Sequence, residues 1–157
     1  MNSNIIYGLI LAFFPLISFG QDRHLSFELA GSGGLASINF EKSFYQKEAL
    51  NMKYRIGFSF VPIDKNNGST LILPIMIHGV FGQTSHKLDL GIGQTVSVTT
   101  KGQAFILMPL ACGYRFEPDN KNYYLRVSYT PIISYLIDWQ WQHWAGVTYG
   151  LKLKTKE

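Results

Sequence analysis

The segment from residue 51 to residue 63, NMKYRIGFSFVPI, alternates apolar and polar side chains over most of its length. The apolar set is Met52, Tyr54, Ile56, Phe58 and Phe60, and the residues between them are Lys53, Arg55, Gly57 and Ser59. Successive side chains of a β-strand point to opposite faces, so this strand has one apolar face and one polar face. The apolar face either packs in a soluble core or contacts lipid around the polar lumen of a membrane barrel.

The same alternation recurs through most of the chain after residue 20, where no stretch has a convincing helical period. Eight strands are predicted, at residues 24–32, 35–44, 51–63, 70–81, 87–98, 104–116, 122–134 and 144–154. Turn-forming residues separate several of them, as at residues 31–34, 64–69 and 117–121. Strands of roughly 9–13 residues match the ~9–11 that cross a bilayer at a tilt, and an even number closes an antiparallel barrel. The sequence therefore predicts an all-β, eight-stranded antiparallel up-and-down transmembrane β-barrel.

Composition supports this fold and excludes some functions. Charged residues make up only 15% of the chain, against about 25% in soluble domains, while aromatic residues also reach 15%. The formal net charge is +4 and the basic residues are scattered, so no nucleic-acid partner is predicted. The single cysteine, Cys112, excludes an intramolecular disulfide and a multi-cysteine metal site. No cofactor or metal is predicted.

Residues 1–20 are predicted to be a cleaved signal peptide, which leaves residues 21–157 as one barrel domain. The segment 5–19 is apolar and interrupted by Pro15, and the small residues Ser18 and Gly20 precede the predicted cleavage site before Gln21. The alternative is a buried or anchoring N-terminal helix, although the segment is shorter than the ~20 apolar residues that a spanning helix needs.

The aromatic residues divide into two groups once the N-terminus is placed in the periplasm. Those near the periplasmic rim are Phe44, Tyr45, Tyr54, Phe81, Tyr114, Phe116, Tyr123 and Tyr124. Those near the outer rim are Phe58, Phe60, Phe105, Tyr129, Tyr135, Trp139, Trp141 and Trp144. Two aromatic girdles around an aliphatic band are typical of lipid-facing barrels, because amphipathic rings favour the membrane interface. This pattern favours a membrane barrel, with lipid as the main partner, over a soluble barrel.

The alternation of outward and inward positions along each strand, called parity below, also places a cluster of charged residues inside the lumen. Its members are Glu28, Glu41, Lys53, Arg55, Asp89, Arg115, Arg126 and Lys152. Charges confined in a narrow lumen need partners or water. We expect Asp89 beside Arg115 and Glu28 beside Lys152 across the closing seam, which together would form a salt-bridged plug. The alternative is a set of separately hydrated side chains.

Several stretches of the chain resemble small eight-stranded outer-membrane β-barrel proteins of Gram-negative bacteria. They are residues 28–44 (ELAGSGGLASINFEKSF), 54–62 (YRIGFSFVP), 108–118 (MPLACGYRFEP), 125–131 (LRVSYTP) and 144–153 (WAGVTYGLKL). The resemblance implies an integral outer-membrane protein. Members of this family usually end on an aromatic residue, and the matching position here is Leu153.

Three functions remain open at this point. The first is a structural or surface-interaction barrel, monomeric and not a general porin, because eight strands leave an interior that side chains just fill. Its candidate surface contacts are Tyr135, Trp139, Trp141 and His143. The second is a lipid-modifying envelope enzyme, and the third is a soluble barrel that binds a small apolar ligand. We expect no enzymatic activity.

Two sets of residues contain the Ser, His and acid groups that nucleophilic catalysis would need. The first set is His24, Ser26 and Glu28, which share one face of the first strand, and the second is Ser134, Asp138 and His143. Polar lumen lining and loop residues explain the two sets more simply. The four histidines show no metal-ligand spacing.

Overall fold

The computed structural model describes residues 22–64, 68–134 and 139–153 of the chain. Its strands are β1 (Arg23–Gly31), β2 (Gly34–Lys47), β3 (Leu50–Asp64), β4 (Gly68–Phe81), β5 (His86–Thr99), β6 (Ala104–Phe116), β7 (Tyr123–Tyr129), β8 (Ile132–Ser134), β9 (Gln140–Gln142) and β10 (Ala145–Leu153). The predicted signal peptide at residues 1–20 lies outside the described residues. The described part of the chain contains no helix long and apolar enough to cross a membrane.

The strands form one closed antiparallel sheet. Consecutive strands pair from β1 to β6, β1 pairs with β10 across the seam, and β7 joins β10 to β6. At the seam Phe27 lies opposite Tyr149 and Glu28 lies opposite Thr148. Every long strand therefore has two neighbours and no long edge is exposed.

The barrel has eight strands, although the last two are interrupted. Both β7 and β8 pair with β6, so together they form the seventh barrel strand, and β9 and β10 form the eighth. The first interruption falls at Pro131, whose nitrogen cannot donate to a ladder. Its carbonyl still accepts a hydrogen bond from Leu110 N at 2.9 Å. The predicted eight-stranded antiparallel barrel is thus confirmed. The predicted strand 122–134 is divided into β7 and β8, and β10 covers residues 145–153 of the predicted strand 144–154.

The two faces of the sheet are reversed relative to a soluble protein. In β1 the alternate residues Leu25, Phe27 and Leu29 are exposed, whereas His24, Ser26 and Glu28 are buried. Among the described residues, 29 large hydrophobic side chains are exposed and only six hydrophobic residues are buried, against 23 buried polar or charged ones. The predicted outward and inward parity agrees with this pattern in most strands.

Tyr124 and Phe105 differ from the aromatic grouping that the sequence suggested. Tyr124 was assigned to the periplasmic girdle but is completely buried in the lumen, because it shares the parity of Arg126. Phe105 lies at the outer mouth, as predicted, and is 40% exposed, but it shares the inward parity of Leu107 and Pro109 and lines a cavity there. Height along a strand is therefore not enough to place a ring, since its face also matters.

Candidate functional site in the barrel lumen

Charged and polar side chains from seven barrel strands and one turn meet inside the barrel, and all but the half-buried Glu117 are buried. We call this cluster the lumen network: Glu28, Glu41, Arg55, His78, Asp89, Arg115, Glu117, Tyr124 and Arg126. Inward parity on each strand brings these side chains to one space. Most of the network was expected from the sequence, whereas Glu117 and Tyr124 were not.

Glu28 on β1 accepts hydrogen bonds from two arginines. Nη2 of Arg55 lies 2.6 Å from one carboxylate oxygen, and Nη2 of Arg126 lies 3.2 Å from the other. The hydroxyls of Ser32 and Thr148 also donate to it, at 3.2 Å and 3.3 Å. Glu28 has no exposed surface, so these charge-assisted bonds replace its hydration.

Glu28 does not contact Lys152, and that predicted pair is wrong. In the register of the seam, Lys152 lies opposite His24, four pairs away from the Glu28–Thr148 pair. Its Nζ is 2.6 Å from Asp22, and its side chain is 42% exposed at the barrel mouth where β1 begins. Glu28 faces the lumen, as the alternation predicts, but the register places Glu28 and Lys152 at different heights along the barrel.

Glu41 on β2 is bound from the opposite wall of the barrel. Arg115 Nη1 lies 2.9 Å from one carboxylate oxygen, and the Tyr124 hydroxyl donates to the other at 2.7 Å. The guanidinium carbon of Arg115 lies 3.5 Å from the centre of the Tyr124 ring, which adds a cation–π contact. These contacts join β2 to β6 and β7 across the lumen.

Asp89 on β5 contacts both Arg115, which binds Glu41, and Arg126, which binds Glu28. It lies 3.5 Å from Arg115, as expected from the sequence, and 3.4 Å from Arg126. Its other oxygen lies 2.6 Å from Nδ1 of His78. A carboxylate only accepts hydrogen bonds, so this Nδ1 carries the proton. The Nε2 atom of His78 is buried and has no hydrogen-bond partner among the described residues.

Glu117, in the turn that follows β6, closes the network at the barrel end where β1 begins. It contacts His24 at 3.1 Å, Arg115 at 3.0 Å and Lys87 at 3.5 Å. Burial alone would raise the pKa of Glu117, but the His24 hydrogen bond and the positive charges of Arg115 and Lys53 hold this pKa well below its usual range. The sequence did carry a signal for it, since Glu117 continues the inward parity of β6.

Glycines on the inner face provide the space that these large side chains need. A Cβ on Gly150 would lie 2.0 Å from the Tyr124 ring, and one on Gly91 would lie 2.7 Å from the His78 ring. At Gly31 an added Cβ would lie 2.2 Å from the carboxyl carbon of Glu28. The inward glycines are therefore part of the network's packing.

The ionic charges at the site balance. Four acids (Glu28, Glu41, Asp89 and Glu117) face four buried bases (Lys53, Arg55, Arg115 and Arg126), and Lys87, which also contacts Glu117, is partly exposed. The cluster predicted from the sequence has three acids and five bases, because it omits Glu117 and includes Lys152, which lies at the mouth of the barrel. No group of three or more His, Cys, Asp or Glu in the described residues is arranged to hold a metal ion. A paired, neutral cluster of this kind suits a structural plug.

The first candidate catalytic set is not assembled. His24, Ser26 and Glu28 all face the lumen, but His24 binds Glu117 and Ser26 donates to the carbonyl of Asn39 at 3.4 Å. Glu28 is held by arginines instead. In the second set, Asp138 lies outside the described residues.

Aromatic side chains are exposed at the outer rim. Trp139 is 71% exposed and Trp141 is 45% exposed. The His143 ring stacks on Tyr129, to which its Nδ1 is hydrogen-bonded, and lies 6.3 Å from the Trp141 ring. Tyr135, the fourth predicted surface contact, lies outside the described residues.

Comparisons with known proteins show the fold but no close relative. No protein-family model matches the sequence, and no curated protein matches it significantly. The N-terminal β-barrel domain of Pseudomonas aeruginosa OprF superposes with a TM-score of 0.56 at 9% identity, covering 85% of this chain and 96% of that one. The outer-membrane enzyme PagL gives 0.51 at 12% identity, covering 83% and 99%. Ail of Yersinia pestis gives 0.43 at 12% identity, covering 83% and 97%.

Proposed function

We propose that this chain, which has the fold of the small eight-stranded outer-membrane β-barrels, is an integral outer-membrane protein with a structural or surface-interaction role and a lumen closed to solutes. The observation that carries this proposal is the reversed burial of the barrel: an apolar outer surface surrounds a charged, internally paired lumen.

The outer surface supports the membrane location. Exposed side chains such as Phe27, Ile56, Ile75, Leu90 and Val147 continue from strand to strand around the barrel. Soluble monomers rarely expose contiguous apolar patches larger than a few hundred Å², whereas lipid solvates such a surface readily. One alternative is a soluble barrel that binds a small apolar ligand. Such a barrel would need an apolar interior, whereas most buried side chains of this barrel are polar or charged.

The ion pairs inside the lumen support a barrel that is closed to solutes. Arg115 on β6 reaches Glu41 on β2, and Arg126 on β7 reaches both Glu28 on β1 and Asp89 on β5. These bridges cross the lumen in several directions at once. An eight-stranded barrel has an interior that side chains just fill, so a continuous water-filled path of porin width has no room.

Cell fractionation and detergent dependence test the membrane location. The expected result is recovery of the protein with the outer membrane, and loss of the folded monomer when detergent is removed. A folded monomer that persists in detergent-free buffer would contradict the proposal and favour the soluble alternative.

Conductance in a planar bilayer tests closure. We expect no steady porin-like current from the unmodified protein. Arg126→Ala removes the side chain that joins three acids, so it should produce intermittent openings if the network blocks the path. Exposed Lys101→Ala at the outer turn is the control and should stay silent. A steady large current from the unmodified protein would refute the closed lumen.

The proposed protein is a monomer and has no catalytic activity. The runner-up function, a lipid-modifying enzyme, is tested by incubating purified outer-membrane lipids with the folded protein. Lipid turnover that disappears in Ser26→Ala or His143→Ala would overturn the non-enzymatic proposal. Light scattering in detergent, corrected for bound detergent, tests the monomer.

A further inference from the structure

The outer half of the barrel contains a cavity that differs in chemistry from the lumen network. Its volume is about 470 Å³, within the ~300–1,000 Å³ of typical small-molecule sites. It is lined by inward residues at the ends of β3 to β6, β8 and β9, opposite the chain termini. Barrel mouths are common positions for ligand sites.

The polar lining consists of neutral hydroxyls and amides. Ser97 and Thr99 on β5 supply hydroxyls, and Gln140 and Gln142 on β9 supply amides from the facing wall. None of the lining residues, all of which belong to the described part of the chain, carries a charge. Hydroxyls and primary amides each donate and accept hydrogen bonds. The lining therefore matches a neutral ligand that also donates and accepts.

The remaining lining is apolar. Phe105 and Leu107 form one side of the cavity, and Ile72 lies on β4. An aromatic ring next to hydroxyl and amide groups can cover the C–H face of a sugar ring while the polar groups bind its hydroxyls. A purely apolar ligand would leave the amides and hydroxyls without partners, at a cost in binding.

Thr70, which also lines the cavity, carries an unused hydrogen-bonding group. It is 6% exposed, and its Oγ1 has no partner among the described residues. Because this oxygen is covered, a rotation about χ1 is needed to present it to the cavity. Thr99 Oγ1, on the cavity wall, accepts a hydrogen bond from Gln103 N at 3.1 Å. An unsatisfied buried hydroxyl is unfavourable, so a ligand that bonds to it gains binding energy.

We propose that this outer-mouth cavity binds a neutral saccharide, either as a free sugar or as the headgroup of a glycolipid. The proposal concerns the folded barrel in detergent and does not depend on where the cell places it. We expect millimolar affinity for a disaccharide, because a few neutral hydrogen bonds supply most of the interaction.

Nuclear magnetic resonance of the isotope-labelled barrel tests this proposal. The protein is folded in lauryldimethylamine oxide, which has no sugar headgroup, and titrated separately with maltose, dodecyl maltoside and cyclohexanol. We expect saturable shifts at Ser97, Gln140 and Gln142 with a saccharide probe. Shifts with maltose indicate a free-sugar site, and shifts with dodecyl maltoside alone indicate a glycolipid headgroup. No saturable shift with either saccharide, or equal shifts with cyclohexanol, would overturn the proposal.

Variants separate specific binding from a general effect. Ser97→Ala and Gln142→Leu should each weaken saccharide binding about two- to tenfold, as expected for one neutral hydrogen bond. Gln83→Leu makes the same chemical change as Gln142→Leu at an exposed turn on the opposite end, so it should bind normally. Unchanged signals from β1 and β2 confirm that each variant is folded. Equal affinity in all three variants would contradict the assignment of the cavity.

Discussion

Replacing Glu28 by glutamine tests the central ion pair of the lumen network. The substitution keeps the shape of the side chain but removes the carboxylate bonded to Arg55 at 2.6 Å and Arg126 at 3.2 Å. Removing one partner of a buried ion pair typically costs about 3–5 kcal/mol. Arg126 keeps Asp89 at 3.4 Å and Glu41 at 3.7 Å, so its charge stays compensated. We therefore expect a loss near the lower end, about 3 kcal/mol, which arises mainly at Arg55.

Urea unfolding in detergent micelles, followed by tryptophan fluorescence, measures this loss. Arg55→Gln and the double variant complete a mutant cycle, in which contacting residues typically show couplings of about 0.5–3 kcal/mol. The double variant should be more stable than the sum of the single losses predicts, because neither charge is then left alone. The control is Glu48→Gln in the exposed β2–β3 turn, which should change stability by less than about 0.5 kcal/mol. A Glu28→Gln loss below about 1 kcal/mol together with strict additivity would refute the paired, dehydrated network.

Three further changes test other parts of the barrel. Ile56→Lys on the outward face of β3 should cost about 2–4 kcal/mol or block insertion into vesicles, because a charge is poorly solvated at mid-bilayer depth, and Ile56→Met should insert normally. Equal insertion of both variants would show that this face does not meet lipid. Gly150→Val should lower the urea midpoint by displacing the Tyr124 ring from its place beside Glu41, and a Tyr124→Ala background should remove most of that effect. An identical loss in both backgrounds would exclude the steric explanation. Glu117→Gln should destabilise the protein most above about pH 5, because a carboxyl whose folded pKa lies below the unfolded value of about 4.3 stabilises the folded state only where the unfolded group is ionised. The difference from the unmodified protein should shrink as the pH falls below about 4 in an unfolding series, and a difference that grows in acid would mean that the sign is wrong.

The alternation of side chains allowed much of the fold to be predicted. Two-residue periodicity assigns a face to each side chain wherever the backbone is extended. It correctly places Phe27 and Ile56 outside, and Glu41 and Arg126 inside. The number of strands followed from the turn residues between alternating segments.

Periodicity predicts much less about the partners of a side chain. Glu28 and Lys152 have inward parity on neighbouring strands, yet the register separates them in height. Glu28 instead binds Arg126, 98 residues away in sequence. Such a contact depends on the register of every strand pair around the barrel, and no local pattern specifies all of these registers together.

The sequence by itself determined the two faces of the barrel, because the covalent geometry of an extended chain fixes the direction of every second side chain. It therefore determined that charged residues enter the lumen and that aliphatic and aromatic residues cover the outside. Only the tertiary structure decided which charges pair, that Glu117 binds Arg115 and His24, and that the neutral polar residues enclose a cavity at the outer mouth. These features depend on closure, since the distance between side chains on opposite walls exists only once the sheet has joined its first strand to its last.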